Sequence, residues 1–217
     1  MIIDVNEKDV ELALERAPRT RLSLAVHTAL YRVQSSKHDA NPINYRLNAG
    51  GRFQHPEELV PVAYYGLSQE AAIAESIQPN YGEPERKVVK YSTLCKTSLH
   101  TLRTDRVLHL VDAAELVTLF GLMPYQLMLP KGDELQGYQL PRWLTKVVSA
   151  LGYDGIMYNS AMYCPAGNQN GRNVALFGGR GKQLSPVRYH TLLEYVLPTE
   201  ETVLEFLDSR GVIVEAG

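Results

Sequence analysis

The sequence predicts a single α+β domain. Helix-like and strand-like patterns intermix along the 217 residues, without the regular strand–helix alternation of a parallel α/β sheet. No repeat of fixed period and no low-complexity linker divides the chain. Apolar residues make up 45% and charged residues 21%, so an ordinary hydrophobic core is expected. We expect an N-terminal helical extension over residues 1–25 and one main domain over residues 26–217.

The N-terminal part of the chain predicts a helix, a strand and a loop. Asn6 can cap a helix that runs to Arg16, with apolar residues spaced along it. Residues 24–33 are largely apolar and include β-type residues, so we expect an early strand there. Residues 34–48 contain Pro42 and several asparagines, which predict a loop.

A short strand over residues 60–66 and a capped helix follow. Ser68 can cap this helix, which ends shortly before a proline. Glu75 lies three and four residues after Ala72 and Ala71, so the three side chains share a face of the helix. Because that face is built of small residues, another group can approach it closely and meet the carboxylate.

The second half of the chain predicts further strands and helices. Asp112 opens a helix through a capping box, a loop covers residues 132–137, and Gly152 ends a later helix. The remaining strand patterns cover residues 86–94, 106–111, 155–159, 173–177 and 187–197. The remaining helix patterns cover residues 143–151 and 199–209.

Composition and charge argue against several classes of protein. The formal net charge is −2 and no Lys/Arg block stands out, which argues against direct binding to nucleic acid. No apolar run reaches the length of a transmembrane helix, so no membrane contact is expected. The N-terminus lacks the basic and apolar segments of a secretory signal.

The cysteines and histidines favour a cytoplasmic protein without a metal. Cys95 and Cys164 are far apart and belong to no C-x-x-C pair, which is typical of reduced thiols in the cytoplasm. None of the six histidines has the spacing of a zinc site, so no metal cofactor is expected.

Polar residues embedded in apolar segments are the strongest functional signal. A buried charge is costly unless it is paired or binds a ligand, so several such charges indicate a polar, anion-binding pocket. The residues concerned are Arg32, Arg52, Tyr64, Tyr65, Glu75 and Ser160.

Ordinary structural roles compete with this interpretation. Arg32 could pair with a carboxylate at a strand edge, Glu75 could be solvated, and Ser160 could satisfy backbone groups. One of the two adjacent tyrosines is expected in the core, since neighbours along a strand point to opposite faces. The glycine-rich basic segment 178–182 is expected to be a turn, with ligand contact as the alternative.

Taken together, these residues resemble the RES-domain family, which is named for its Arg, Glu and Ser. The resemblance covers residues 30–178, about two-thirds of the chain, and depends on the order and spacing of motifs that are each weak alone. The motifs are Leu30-Tyr31-Arg32, Gly50-Gly51-Arg52-Phe53, the block from Tyr64 to Glu75, Gly152-Tyr153-Asp154-Gly155-Ile156 with Ser160, and Asn173-Val174-Ala175-Leu176-Phe177.

The resemblance implies a fold, an activity and a partner. RES proteins have a fold similar to ADP-ribosyltransferases, so we expect a core of mixed β-sheets flanked by helices. They are typically toxins of bacterial toxin–antitoxin pairs and act on NAD⁺. Some degrade it with water or phosphate as acceptor, and others transfer ADP-ribose to a protein. The usual antitoxin is an Xre-type helix-turn-helix protein that covers the active site, and a homodimer within that complex is left open.

The residue chemistry agrees with NAD⁺ as the substrate. Arginines bind a pyrophosphate bidentately, and a tyrosine can stack on the cationic nicotinamide ring. Cleavage of the N-glycosidic bond builds positive charge on the ribose, which a carboxylate stabilises. We expect Glu75, Arg52 and Tyr64 to be catalytic. The expected NAD⁺ contacts are Arg32, Arg52, Tyr64, Tyr65 and Ser160, with Tyr64 favoured over Tyr65 for the pocket.

Two departures from the family pattern and one further residue affect the interpretation. Phe53-Gln54 replaces the family's Trp-Asn, and the loop after Ser160 is longer. Ile73 stands where arginine-modifying ADP-ribosyltransferases carry Gln or Glu, which favours water or phosphate over an arginine acceptor. The sequence does not choose between water and phosphate. Mono-ADP-ribosylation of a host protein and a catalytically inactive binding module remain the alternatives.

Overall fold

A computed structural model describes residues 6–47, 50–77, 87–128, 138–163 and 171–216. Its strands are, in chain order, β1 Arg21–Leu24, β2 Ala29–Ser35, β3 Val62–Gly66, β4 Val88–Lys90, β5 Thr97–Thr104, β6 Leu108–Asp112, β7 Gly155–Asn159, β8 Arg172–Phe177, β9 Leu184–Thr191 and β10 Ile213–Glu215. Its α-helices are α1 Glu7–Arg16, α2 Gln69–Ile77, α3 Tyr91–Cys95, α4 Ala113–Leu119, α5 Gln139–Ala150 and α6 Val203–Ser209.

A mixed eight-stranded sheet organises the described part of the chain. The strand order is β1-β6-β7-β8-β3-β2-β5-β9, and β6 and β7 run parallel while the other neighbours run antiparallel. A separate parallel pair joins β10 to β4. The order brings β7 and β8, which come late in the chain, beside β3 and β2, which come early. Residues far apart in sequence therefore become neighbours on the sheet.

Apolar side chains pack on both faces of this sheet. Ile156 and Phe177 belong to a cluster that α1, α4 and α5 cover, and a second cluster lies under α2, α3 and α6. We call this side the helical face. Met157 and Leu176, which alternate with the first two residues, pack with Leu30 in a third cluster built from strand residues on the opposite face.

Three of the helices begin at caps that the sequence predicts. The Asn6 side chain accepts a hydrogen bond from the Asp9 N–H at 3.1 Å, and Ser68 Oγ accepts one from the Ala71 N–H at 3.1 Å. Asp112 Oδ1 likewise accepts from the Ala114 N–H at 3.1 Å. Each cap satisfies backbone donors that the helix itself leaves unpaired.

The predicted α+β class is confirmed, but two predicted strands are wrong and one strand was not predicted. Residues 24–33 are not one strand, because the chain turns between β1 and β2 at His27, which has φ 67°. The strand predicted over residues 86–94 is short and gives way to α3. The sequence analysis missed β5, because its buried side chains are partly polar and hide the strand pattern. Those polar residues are Thr97, Ser98, His100 and Thr104.

The predicted N-terminal extension contains α1 and also a strand of the main sheet. In β1, Arg21 lies opposite Val111 of β6. The boundary at residue 25 stays a prediction of the sequence. The predicted loop over residues 132–137 and Cys164 lie outside the described residues.

Asp154 joins three segments at the start of β7. Arg106 donates to both of its carboxylate oxygens, at 2.8 and 2.5 Å, and the His109 N–H donates to Oδ2 at 2.9 Å. Burial raises the pKa of Asp154, but the hydrogen bonds from Arg106 and His109 outweigh burial and hold that pKa below its usual value. Asp154, part of one of the motifs above, thus has a structural role.

Candidate active site

The carboxylate of Glu75 is held in one orientation at the surface of α2. Its Oε1 accepts hydrogen bonds from Ser160 Oγ at 2.5 Å, from the Ala161 N–H at 3.1 Å and from Asn173 Nδ2 at 3.0 Å. Ser160 is fully buried, whereas Glu75 is exposed. The donors therefore position the carboxylate while leaving it accessible to a ligand.

Gly66 allows α2 to approach the sheet closely enough for these contacts. A Cβ atom at Gly66 would lie 2.8 Å from the Ala72 nitrogen and 2.8 Å from the Ser68 carbonyl oxygen, which is closer than real Cβ contacts. Gly66 is paired with Asn173 on one side and with Tyr31 on the other. The helix thus passes directly over this row, and Glu75 reaches Asn173.

Tyr158 completes the row beside the carboxylate. Tyr158 is on β7, opposite Asn173 of β8 and two residues before Ser160. The side chains of all three residues therefore point to the helical face. The Tyr158 ring is 8% exposed and lies 4.5 Å from the Phe53 ring, between centroids. Its hydroxyl has no hydrogen-bond partner among the residues that the structure describes.

The surroundings of Tyr158 keep its hydroxyl protonated. Burial raises the pKa of this phenol well above its usual value, and the negative charge of Glu75 raises it further. A neutral phenol next to the carboxylate is a hydrogen-bond donor for a ligand. Tyr158 was not among the residues predicted from the sequence, although its spacing of two residues from Ser160, at the end of a strand, was a usable signal.

Tyr64 connects the sheet to the loop that carries Arg52. The Tyr64 hydroxyl accepts a hydrogen bond from the Phe53 N–H at 2.9 Å. A Cβ atom at Gly51 would lie only 2.5 Å from the same hydroxyl oxygen, so a glycine is needed there. Burial raises the pKa of Tyr64, which keeps it a neutral phenol. Tyr64 thereby positions the backbone on both sides of Arg52.

Arg52 lies at the other end of this row of aromatic side chains. Its Nη1 donates to the Leu127 carbonyl oxygen at 2.5 Å, and its guanidinium carbon lies 5.1 Å from the centroid of the Tyr138 ring. Its positive charge lowers the pKa of Tyr158, whereas burial and Glu75 raise it. Tyr158 connects the two ends of the row, because it lies opposite Asn173, which donates to Glu75, and packs on Phe53, the neighbour of Arg52. We call the group of Glu75, Ser160, Asn173, Tyr158, Tyr64 and Arg52 the candidate site.

Arg32 and Tyr65 are not brought into this group. Both side chains point away from the helical face. Their sequence neighbours Tyr31 and Tyr64 point to the helical face, and side chains alternate along a strand. The Arg32 guanidinium carbon lies 5.5 Å from the Tyr65 ring centroid, and Arg32 Nη1 donates to the Asn44 carbonyl oxygen at 3.1 Å. Tyr65 is 2% exposed. Their contact with NAD⁺ stays a prediction.

The glycine-rich segment 178–182 forms the turn between β8 and β9. Arg180 donates to the Ser149 carbonyl oxygen, and the Lys182 ammonium lies 3.0 Å from the Asp105 carboxylate. Both basic side chains therefore have structural partners in the turn.

Within the described ranges, no group of three or more His, Cys, Asp or Glu side chains is arranged to hold a metal ion. None of the helices in those ranges is both long and apolar enough to cross a membrane.

Comparisons with known proteins agree with this fold. A search of curated protein sequences found no significant match. The chain is similar to a chain in the crystal structure of the M. tuberculosis MbcT–MbcA toxin–antitoxin complex, with a TM-score of 0.56 and 18% identity. The similarity covers 91% of this chain and 96% of that chain. The model of the RES domain family matches residues 29–198, a span that includes every residue of the candidate site. The chain belongs to the RES domain family.

Proposed function

We propose that this chain is the toxin of a bacterial toxin–antitoxin pair and that it cleaves the bond between nicotinamide and ribose in NAD⁺. The observation that carries the proposal is the Glu75 carboxylate, which three donors hold through Oε1 beside a row of aromatic residues. Among the described residues, no donor contacts its Oε2. That oxygen is available for the ribose of a bound substrate.

Each side chain would contribute to one part of the reaction. The C–N bond breaks, its electron pair leaves with neutral nicotinamide, and positive charge develops on the ribose. Glu75 stabilises that charge, because a fixed carboxylate acts strongly where water is partly excluded. Water then adds to the ribose and releases a proton, giving ADP-ribose, or phosphate adds and gives the 1″-phosphate of ADP-ribose.

The other residues of the site either contact the substrate or position a residue that does. We propose that Arg52 binds the pyrophosphate and that Tyr64 and Tyr158 lie along the nicotinamide ribose. Ser160 would act by orienting Glu75. We also propose that Arg32 and Tyr65 contribute to NAD⁺ binding. Their contribution would act through the segment around Pro42 and Asn44, whose carbonyl oxygens accept hydrogen bonds from Arg32.

We also propose that a protein partner restrains this activity. An unrestrained enzyme that consumes NAD⁺ would exhaust a shared cofactor, so the cell must restrain it. The similar fold in a toxin–antitoxin complex supports a protein partner, for which we propose an Xre-type antitoxin. Its carboxylates could pair with the arginines of the candidate site. Both NAD⁺ and such a partner place the protein in the cytoplasm, and contact with DNA would come from the partner.

Product analysis with purified protein tests the enzymatic part. We expect nicotinamide release from NAD⁺ with ADP-ribose as the product in phosphate-free buffer, or its 1″-phosphate when phosphate is the acceptor. ADP-ribose attached to a protein would instead identify protein modification. No turnover together with retained partner binding would identify an inactive binding module.

Co-expression tests the partner separately. Growth arrest by the toxin should be relieved by the open reading frame next to its gene, and the two proteins should co-purify. If neither happens, the toxin–antitoxin part of the proposal fails, even where NAD⁺ cleavage is observed.

A further inference from the structure

A second arginine, which was not predicted from the sequence, stacks on the same aromatic ring as Arg52. Arg142 is on α5, and its guanidinium carbon lies 5.6 Å from the centroid of the Tyr138 ring. The guanidinium carbon of Arg52 lies 5.1 Å from the same centroid. Two cationic groups that are 90 residues apart in sequence therefore converge on one aromatic ring.

Arg142 has no compensating negative charge in the described part of the chain. No carboxylate there lies within ion-pair distance of it, and its Nε is buried without a hydrogen-bond partner. A partly buried guanidinium without a carboxylate is costly, so it is normally found where an anion binds. The stacking on Tyr138 holds the guanidinium in place without neutralising its charge.

The position of Arg142 on its helix adds to the positive potential. Arg142 is the fourth residue of α5, a helix of 12 residues whose first turn contains no acidic residue. The Tyr138 side chain at the N-cap makes no capping hydrogen bond. Neither the Tyr138 side chain nor the first turn of α5 therefore offsets the partial positive charge at the start of the helix, which favours an anion at this end.

The paired arginines lie at the end of the candidate site away from Glu75. Asn173, which donates to Glu75, lies opposite Tyr158, and the Tyr158 ring packs on Phe53. The Phe53 N–H donates to the Tyr64 hydroxyl, and Arg52, the neighbour of Phe53, shares the Tyr138 ring with Arg142. The order along the site is thus carboxylate, two phenols and two guanidiniums. An elongated ligand with a ribose at one end and a diphosphate beyond it matches that order.

We infer that Arg142 and Arg52 together form the binding site for the diphosphate of the dinucleotide. The inference rests on the proposed function for its ligand. It assigns the second diphosphate arginine to α5, in place of Arg32 on the opposite face of the sheet. Two forked guanidiniums can each donate bidentately to one phosphate group, which a lysine cannot reproduce.

The test is calorimetry on the full chain in a Glu75→Gln background, which slows turnover during the titration. The probes are NAD⁺, ADP and adenosine, of which the last carries no phosphate. Arg142→Met keeps the apolar stem of the side chain but removes the charge, and Arg142→Lys keeps the charge but removes the fork. Arg188→Met, at an exposed position on β9, is the matched control. Melting temperatures check that each variant is folded.

We expect Arg142→Met to weaken NAD⁺ and ADP binding roughly tenfold or more, from the loss of charged hydrogen bonds. The affinity for adenosine should not change in any variant. Arg188→Met should bind NAD⁺ and ADP as tightly as the parent. The ADP affinity of Arg142→Lys should lie between those of the parent and Arg142→Met. Unchanged ADP affinity in folded Arg142→Met or Arg142→Lys, or a parent that does not bind ADP, overturns the inference. A tenfold loss of ADP affinity in a protein that never consumes NAD⁺ supports the diphosphate site and contradicts only the proposed reaction.

Discussion

Ser160 donates its hydroxyl hydrogen to Glu75 Oε1 over 2.5 Å, although the two residues are 85 positions apart in the chain. The same hydroxyl oxygen accepts hydrogen bonds from the N–H groups of Met162 and Tyr163, at 3.1 and 2.9 Å. One buried serine therefore joins the carboxylate on α2 to the turn after β7. The orientation of Glu75 depends on both segments, so changes in either one should affect activity.

Glu75→Gln should abolish most NAD⁺ cleavage without unfolding the protein. Glutamine can still accept through Oε1 from Ser160 and Asn173, but it has no negative charge to stabilise the ribose cation. Loss of one electrostatic stabiliser costs about 3–4 kcal/mol of transition-state binding, or roughly 10²–10³ in kcat. Nicotinamide release measures this, with Glu11→Gln at an exposed position of α1 as the control. Turnover near that of the parent chain would refute the role of Glu75.

Tyr158→Phe should slow NAD⁺ turnover and leave stability nearly unchanged. The variant keeps the packing against Phe53 and loses a hydroxyl that has no partner among the described residues. If that hydroxyl binds substrate, the loss of one hydrogen bond should lower kcat/KM roughly tenfold. Steady-state kinetics and a melting curve together test this prediction.

Tyr64→Phe provides the contrast within the same row. It removes the acceptor for the Phe53 N–H, so we expect a loss of about 1–2 kcal/mol of unfolding free energy. KM for NAD⁺ should also rise, because the loop that carries Arg52 is less well held. If both tyrosine variants behave alike in stability, the distinction between a ligand-facing and a structural phenol is wrong.

Gly66→Ala should displace α2 and with it the catalytic carboxylate. The new methyl group would meet backbone atoms of Ser68 and Ala72 at 2.8 Å, and backbone cannot move aside cheaply. We expect a loss of about 1–3 kcal/mol in stability, together with lower activity per folded molecule. Gly178→Ala is the control, because its Cβ would meet the side chain of Pro61 at 2.7 Å, beyond the end of β8. That variant should lose stability without losing specific activity.

Asp154→Asn should lower stability in a pH-dependent way. The variant loses the charged hydrogen bonds from the partly exposed Arg106, which costs about 1.5–3 kcal/mol. The pKa of Asp154 is lowered in the folded state, so its contribution is present above the usual carboxyl pKa of 3.8 and is lost as the pH falls through the folded-state value. The stability difference between parent and variant should therefore be constant above about pH 5 and shrink below pH 4.

Chemical denaturation at a series of pH values measures that difference. The exposed pair of Asp105 and Lys182 is the control, since a surface ion pair contributes little and Asp105→Asn should cause a much smaller change. A difference that grows toward low pH would contradict the structural role of Asp154.

The sequence by itself determined the local features of this protein. Caps at Asn6, Ser68 and Asp112 depend on side chains within a few residues of the backbone they satisfy, so the helix starts could be predicted. The order of motifs identified the family and selected Glu75 and Ser160, which the structure joins by a hydrogen bond.

Only the tertiary structure decided which of the selected residues meet. Alternation along a strand says that Tyr64 and Tyr65 point to opposite faces, but which face carries the site depends on pairing with strands distant in sequence. That pairing puts Tyr158 and Asn173 beside Glu75, and it puts Arg32 on the other side of the sheet. Arg142 could not be selected from the sequence, because an arginine on a helix is ordinary until packing places it on the same ring as Arg52, with no carboxylate partner among the described residues.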